Sequence, residues 1–153
     1  MSGAPLETPA GTVHICASGE SITYIGFEKR YDVEETSEVI ERTIVQLNEY
    51  FSGKRKEFDI PFIVEGSELQ KNVCGSLMKI PCGETRTYKE IAADIGIPRA
   101  VRAVASAIGR NPISIVIPCH RVIGSDGKMR GYAGGIPFKE YLLEVEGCLP
   151  RRN

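Results

Sequence analysis

No apolar stretch in this 153-residue chain approaches the ~20 residues of a membrane span, and Met1-Ser2-Gly3-Ala4-Pro5-Leu6-Glu7 lacks the basic and apolar regions of a secretory leader. A protein without a membrane partner is expected, intracellular and cytoplasmic, or nuclear in a eukaryote. There is also no CxxC pair, and the five cysteines are odd in number and irregularly spaced, which suits a reducing compartment better than a disulfide framework. Nor is there an excess of charge of one sign, the net being −1. That balance conceals an asymmetry. Residues 1–70 hold 6 Lys and Arg against 13 Asp and Glu, whereas residues 71–153 hold 13 against 7. The basic charge of the second half suggests an anionic partner, nucleic acid first, although a solvated basic face has the same composition.

The length allows one compact domain or two small ones, either able to bury a core without staples. Thr12–Ala17 and Ser21–Phe27 alternate apolar residues around Ser18-Gly19-Glu20 and predict a hairpin. Val39, Ile40, Ile44, Leu47 and Phe51 recur at helical spacing over Glu35–Phe51 and stop at Ser52-Gly53. Lys56–Glu65 reads as a further strand, pushed to a sheet edge by Pro61. This first part, residues 1–66, is expected to be a small α/β domain, an antiparallel sheet plus a helix, with no chemistry of its own.

The second part, residues 67–153, reads as mostly helical. Leu69, Val73, Leu77 and Met78 form one stripe. Thr87 followed by Glu90 makes a capping box in front of Ile91–Ile95, and Gly96-Ile97-Pro98 turns the chain into Arg99–Ile108. Two short helices around a glycine turn predict a helix-turn-helix, winged-helix-like in class. Its second helix is nearly all small residues with Arg102 in the middle, a composition that suits either close approach to a surface or an alanine-rich core helix. Ser125–Lys128 is a turn, Gly131–Gly135 a flexible loop, and Pro137 and Gly147 bracket a last helix. Glu144 and Glu146 end that helix beside the negative end of its dipole, so Glu146→Gln is expected to leave thermal stability unchanged or slightly higher.

Between these elements the apolar run Ile113–Ile123 is interrupted by Pro118-Cys119-His120-Arg121. A thiol, an imidazole and a guanidinium side by side have no packing purpose in a buried strand. Thiolate chemistry, in contrast, needs a base and positive charge near the cysteine. Cys119 therefore reads as a nucleophile, against the alternative of an inert buried cysteine with His120 at a strand end.

Six segments together carry a strong resemblance to the O6-alkylguanine-DNA alkyltransferases. They are Ile117–Ile123, Thr87-Tyr88, Arg102 within Ala100–Val104, Gly109-Arg110-Asn111-Pro112, Gly131–Gly135 and Leu142–Gly147. The first 66 residues resemble that family in architecture only. The resemblance implies that Cys119 takes the alkyl group from guanine O6 irreversibly, once per molecule. His120 would draw the thiol proton through a water, Glu146 would hold the imidazole, and Asn111 would brace the turn. Arg102 would fill the place of a nucleotide flipped out of double-stranded DNA approached from the minor groove, and Tyr88 would crowd its phosphate. Ala103, Arg99 and Arg121 would also meet DNA. Tyr132, Ala133, Gly134 and Val122 would line the base pocket. No cofactor and no metal are expected, because His14 and Cys16 are too few for the closed zinc site some members carry; the protein is expected to act as a monomer. Three other readings compete. One is a non-catalytic binder of alkylated bases, which the presence of Cys119 opposes; another is a cysteine hydrolase built on Cys119, His120 and Glu146; the third is a plain helix-turn-helix regulator, which the lack of polar reading residues on the second helix opposes.

Overall fold

A computed structural model describes residues 1–148; the last five residues of the expected second domain lie outside the described residues. Three antiparallel strands, β1 (Ser2–Thr8), β2 (Gly11–Ser18) and β3 (Ser21–Gly26), form a sheet in that order. The expected hairpin is β2–β3, bulged between Cys16 and Ala17. β1 is a strand the sequence did not announce. Gly3 and Pro5 argue against one locally, but β1 lies at the sheet edge, where a missing N–H is tolerated.

The helix α1 (Glu38–Phe51) begins after Ser37, three residues later than the apolar spacing suggests, because Glu35 is engaged in a bridge with Gly3. Its inward face, Val39, Ile40, Thr43, Leu47 and Tyr50, packs on the sheet. The strand expected over residues 56–65 does not form. Pro61 removes a donor, and only a single bridge survives there, with Ile22 bonded to Pro61 O and Ile63 at 2.9 Å each.

In the second half, α2 (Glu68–Leu77) starts at Ser67, whose hydroxyl accepts the Gln70 N–H. Its buried stripe is Gln70, Val73, Cys74 and Leu77, rotated from the expected one, while Met78 is largely exposed. The Gln70 amide explains the rotation, since it donates to Ala107 O at 2.9 Å and ties α2 to the helix-turn-helix. Strand β4 (Arg86–Thr87) leads into α3 (Tyr88–Asp94) through the capping box of Thr87 and Glu90. The turn at Gly96, with φ +83°, a backbone state that glycine enters without cost, leads to α4 (Val101–Gly109). Val104, Ala107 and Ile108 of α4 are buried, and Arg102, Ala103 and Ser106 face outward. A 3-10 turn (Cys119–Arg121), β5 (Val122–Ile123, parallel to β4) and α5 (Ile136–Val145) complete the order. The fold is thus a small sheet-plus-helix portion followed by a helical portion built around a helix-turn-helix.

Candidate active site

Residues 113–118 are not a strand. Ser114 N–H bonds Ile25 O at 2.8 Å, which docks the segment on β3, and the chain then doubles back, with Ile117 N–H on Ile113 O at 2.9 Å. Ile115 holds φ +73°, a state that a β-branched residue enters at a cost of about 1–3 kcal/mol. Asn111 clamps this bend at both ends: its amide donates to Ile117 O at 2.7 Å, and its oxygen accepts Ile113 N–H at 3.0 Å. The strained bend delivers Pro118 and the 3-10 turn. Within that turn Cys119 is buried at 7 % exposure, and His120 and Arg121 point away behind it.

Three side chains, His120, Arg121 and Tyr50, converge on Glu146, whose own side chain is completely buried. His120 Nε2 lies 2.6 Å from Oε2, and Arg121 reaches Oε1 through Nε at 2.8 Å and Oε2 through a terminal nitrogen at 2.9 Å. Tyr50 of α1 donates its hydroxyl to Oε2 at 2.6 Å. Burial alone would raise the Glu146 carboxyl, but the hydrogen bonds from His120 and Arg121 overturn that and hold it at about 2. A carboxylate at Oε2 fixes the imidazole proton on Nε2 and leaves Nδ1 as the lone-pair atom. Nδ1 is buried without a protein partner, and the Tyr132 hydroxyl is the other such atom among the described side chains. Burial pushes the His120 pKa down against the pull of Glu146, so the ring rests neutral. Burial also raises the Cys119 thiol to about 11, although Asn111 and Lys139 draw it down. At neutral pH the resting pair is a neutral thiol and a neutral imidazole, and a thiolate arises only if the proton is taken as the reaction proceeds.

Cys119 faces a cavity of about 40 Å³ shared with Tyr88, Asn111, Ser114, Tyr132 and Ala133, room for about one water. The cavity adjoins an open groove of about 1010 Å³ along α3 and α4. Tyr88, Lys89, Arg99, Arg102, Arg130, Tyr132 and Ala133 line it, with Asp126 as the acidic exception.

Several expected roles change. The resemblance puts Arg121 on DNA, but its guanidinium is buried, spans both Glu146 oxygens and donates to Ile80 O at 2.6 Å, so it has nothing to offer a phosphate. Val122, expected in the base pocket, is fully buried in the core and lines neither cavity. Gly134 also lies off both cavities; a Cβ there would come within 2.6 Å of the Phe27 ring, so glycine is required by packing. Ala103 is exposed on α4 beside the groove and is not part of its lining. The buried pairing revises the expectation for Glu146→Gln: among the described residues this carboxylate is the only acid paired with the buried Arg121, so the substitution is now expected to cost stability.

Two residues escaped the sequence reading. Lys139 is buried at 1 % exposure, donates to Val122 O at 2.6 Å and Arg130 O at 3.3 Å, and is lowered to about 8 by burial. Its signal was present: a lysine three and four residues before Leu142 and Leu143 sits on the apolar face of α5. Tyr50, on the contrary, lies outside the apolar stripe that the spacing of α1 predicts, and its partner is 96 residues away.

A buried thiol in front of a histidine–glutamate pair, opening on a basic groove beside a helix-turn-helix, defines a cysteine-centred group-transfer protein. Two family matches cover most of the chain: 6-O-methylguanine DNA methyltransferase, ribonuclease-like domain, over residues 4–63, and 6-O-methylguanine DNA methyltransferase, DNA binding domain, over residues 68–148. The chain belongs to the 6-O-methylguanine DNA methyltransferase family. It is 46% identical over 154 residues to the methylated-DNA–protein-cysteine methyltransferase of Methanosarcina acetivorans, with 96% of this chain and 99% of that protein covered. The Mycobacterium bovis protein of the same name is 42% identical over 147 residues, with 92% and 89% covered. Among solved structures, the O6-methylguanine methyltransferase of Mycobacterium tuberculosis superposes with a TM-score of 0.87 at 39% identity over 99% of this chain and 96% of that one. The Mycobacterium tuberculosis OGT in complex with DNA gives 0.85 at 40% identity, covering 98% and 96%.

Proposed function

We propose that this protein repairs O6-alkylguanine in DNA by transferring the alkyl group to its own Cys119. The observation that carries the reading is the convergence of Cys119, His120 and Glu146 behind a small cavity that opens on the basic groove of the helix-turn-helix. Cys119 Sγ attacks the alkyl carbon in line with the O6–C bond. As the S–C bond forms, the thiol proton passes through a water to His120 Nδ1, and the imidazolium is held by Glu146. The O6–C bond breaks with its electron pair left on the guanine, and the proton taken up by His120 is returned through water to the guanine, so that both end neutral. The thioether has no leaving group comparable to guanine, so each molecule reacts once. Asn111 and the strained bend at Ile115 keep the sulfur in place through the displacement.

The alkylated base is inaccessible in a duplex and must be rotated out. A cavity of about 40 Å³ admits no purine, so Tyr88 and the Gly131–Gly134 loop have to yield as the base enters. We assign Arg102, exposed on a helix whose outward neighbours are Ala103 and Ser106, to the vacated stack, and Arg99 to the phosphates. Small outward residues let α4 enter a minor groove of about 6 Å. On this reading residues 67–153 bind DNA and carry the transfer, residues 1–66 support them, and a cytoplasmic or nuclear monomer suffices, with neither metal nor cofactor. The reading is tested by stoichiometry: with excess duplex carrying O6-methylguanine, repaired guanine is expected to plateau at one per protein. Continued turnover would favour hydrolase chemistry.

Arg102→Ala is expected to slow repair of duplex DNA by roughly ten- to a hundredfold, the equivalent of a few kcal/mol of unstacking. The same substitution should leave dealkylation of free O6-benzylguanine nearly unchanged, since that substrate needs no rotation. Parallel rate measurements on the two substrates check this, and equal losses would move Arg102 into the chemical step.

A further inference from the structure

We infer that Tyr50, from the N-terminal helix α1, is a positioning residue of the proton relay, sharing the charge of Glu146 Oε2 and thereby keeping His120 neutral and aligned. The inference rests on the transfer reading for its purpose, and on geometry for its substance. Tyr50 and His120 both meet the same carboxylate oxygen at 2.6 Å, one from α1 and the other from the 3-10 turn. Two short bonds to one oxygen compete: each donor withdraws charge that the other would otherwise use.

His120 and Arg121 face the carboxylate from the 3-10 turn and Tyr50 from α1, while Cys82 and Tyr132 lie near enough to feel its charge. Around His120 itself stand Glu146, Arg121 and Lys139. Tyr50 is buried at 1 % exposure, and burial together with the Glu146 charge holds its phenol far above the ordinary tyrosine value, so it remains a donor at every pH at which the protein works. A base that must accept a proton has to be unprotonated beforehand. Burial, with the nearby charges of Arg121 and Lys139, keeps the imidazole neutral against the pull of its carboxylate; the Tyr50 hydrogen bond on the same oxygen weakens that pull further while leaving the imidazole its support when it charges. The N-terminal portion, which showed no chemistry in its sequence, thus reaches the reactive centre through one hydroxyl.

The test uses the full chain. Because there are only two histidines, histidine-labelled protein gives two imidazole titrations by NMR. In Tyr50→Phe the His120 midpoint is expected to rise by roughly half a pH unit or more. The acid limb of the rate with free O6-benzylguanine should move upward with it. Leu47→Ala, in the core of the same helix, is expected to lose stability while leaving the His120 midpoint in place. An unchanged midpoint in Tyr50→Phe, or an equal shift in Leu47→Ala, would overturn the inference. Should Tyr50→Phe not fold, the unaltered protein decides: the two donor atoms lie within about 5 Å of one another, so a nuclear Overhauser contact between the His120 Nε2 proton and the Tyr50 hydroxyl or ring supports the inference and its absence refutes it. A wild-type protein inert towards alkylated guanine would sink the transfer reading, and the titrations would still decide the role of Tyr50.

Discussion

Cys119→Ser is expected to abolish alkyl transfer, by roughly four orders of magnitude or more, while the protein still binds DNA containing O6-methylguanine and melts within a degree or two of the wild type. The reason lies in the acidity gap between a hydroxyl and a thiol. Even the thiol is raised to about 11 by its burial, so the relay through His120 works close to its limit with sulfur. A hydroxyl in the same place is several units weaker as an acid and a poorer nucleophile towards carbon. Size changes little, and the bend held by Asn111 does not depend on the sulfur. Repair rate, binding by gel shift and thermal melting on one preparation separate the three quantities. Residual transfer within a hundredfold of wild type would place the acceptor elsewhere, with Cys82 the next thiol to examine.

Glu146→Gln is expected to have the second largest effect, acting on both stability and rate. The substitution leaves the buried Arg121 without a counter-charge. Breaking a buried ion pair from one side costs about 3–5 kcal/mol, and glutamine recovers part of this by accepting one or two of the bonds. A loss on the order of 3 kcal/mol corresponds to a fall in Tm of roughly 6–12 °C for a chain of this size. The acid dependence gives an independent check. The Glu146 carboxyl is depressed from an ordinary 4.5 to about 2, so its contribution is fully present above the unfolded value and is lost as pH falls from there through about 2. The stability gap between wild type and Glu146→Gln should therefore be constant above about pH 5 and close as the pH is lowered towards 2. The rate changes as well. Without the carboxylate the imidazole is a weaker base, the relay contributes less at neutral pH, and the rate climbs with pH towards ionisation of the thiol itself at about 11. Denaturant titrations across the acid range and a pH–rate profile measure the two effects. A variant as stable as wild type at pH 7 would contradict the buried pairing.

Much of the fold is legible in the amino-acid sequence because it is local. The hairpin at Ser18-Gly19, the capping box of Thr87 and Glu90 and the glycine turn at Gly96 depend on residues within a few positions of each other, and each stands where the pattern puts it. Non-local pairing is not legible in the same way. β1 exists because β2 offers it a full edge, and residues 56–65 fail as a strand because one proline leaves only one bridge. At the candidate site, residue types are legible and directions are not. Cys119, His120 and Arg121 are consecutive, but a 3-10 turn sends their side chains apart, so the arginine that looks like a DNA contact is an internal counter-ion. The apolar stripe on α1 includes Phe51, while the geometry needs Tyr50, whose hydroxyl finds its acceptor only after α5 has packed.

One sulfur, Cys119 Sγ, is proposed to receive the alkyl group and keep it. Intact-mass measurement after incubation with duplex DNA carrying a single O6-methylguanine tests this most directly, followed by peptide mapping of the product. The predicted result is a gain on the order of 14 Da, one methylene unit, in stoichiometric yield and confined to the peptide containing Cys119. Repaired DNA with an unchanged protein mass, or the added mass on Cys16, Cys74, Cys82 or Cys148, would contradict it.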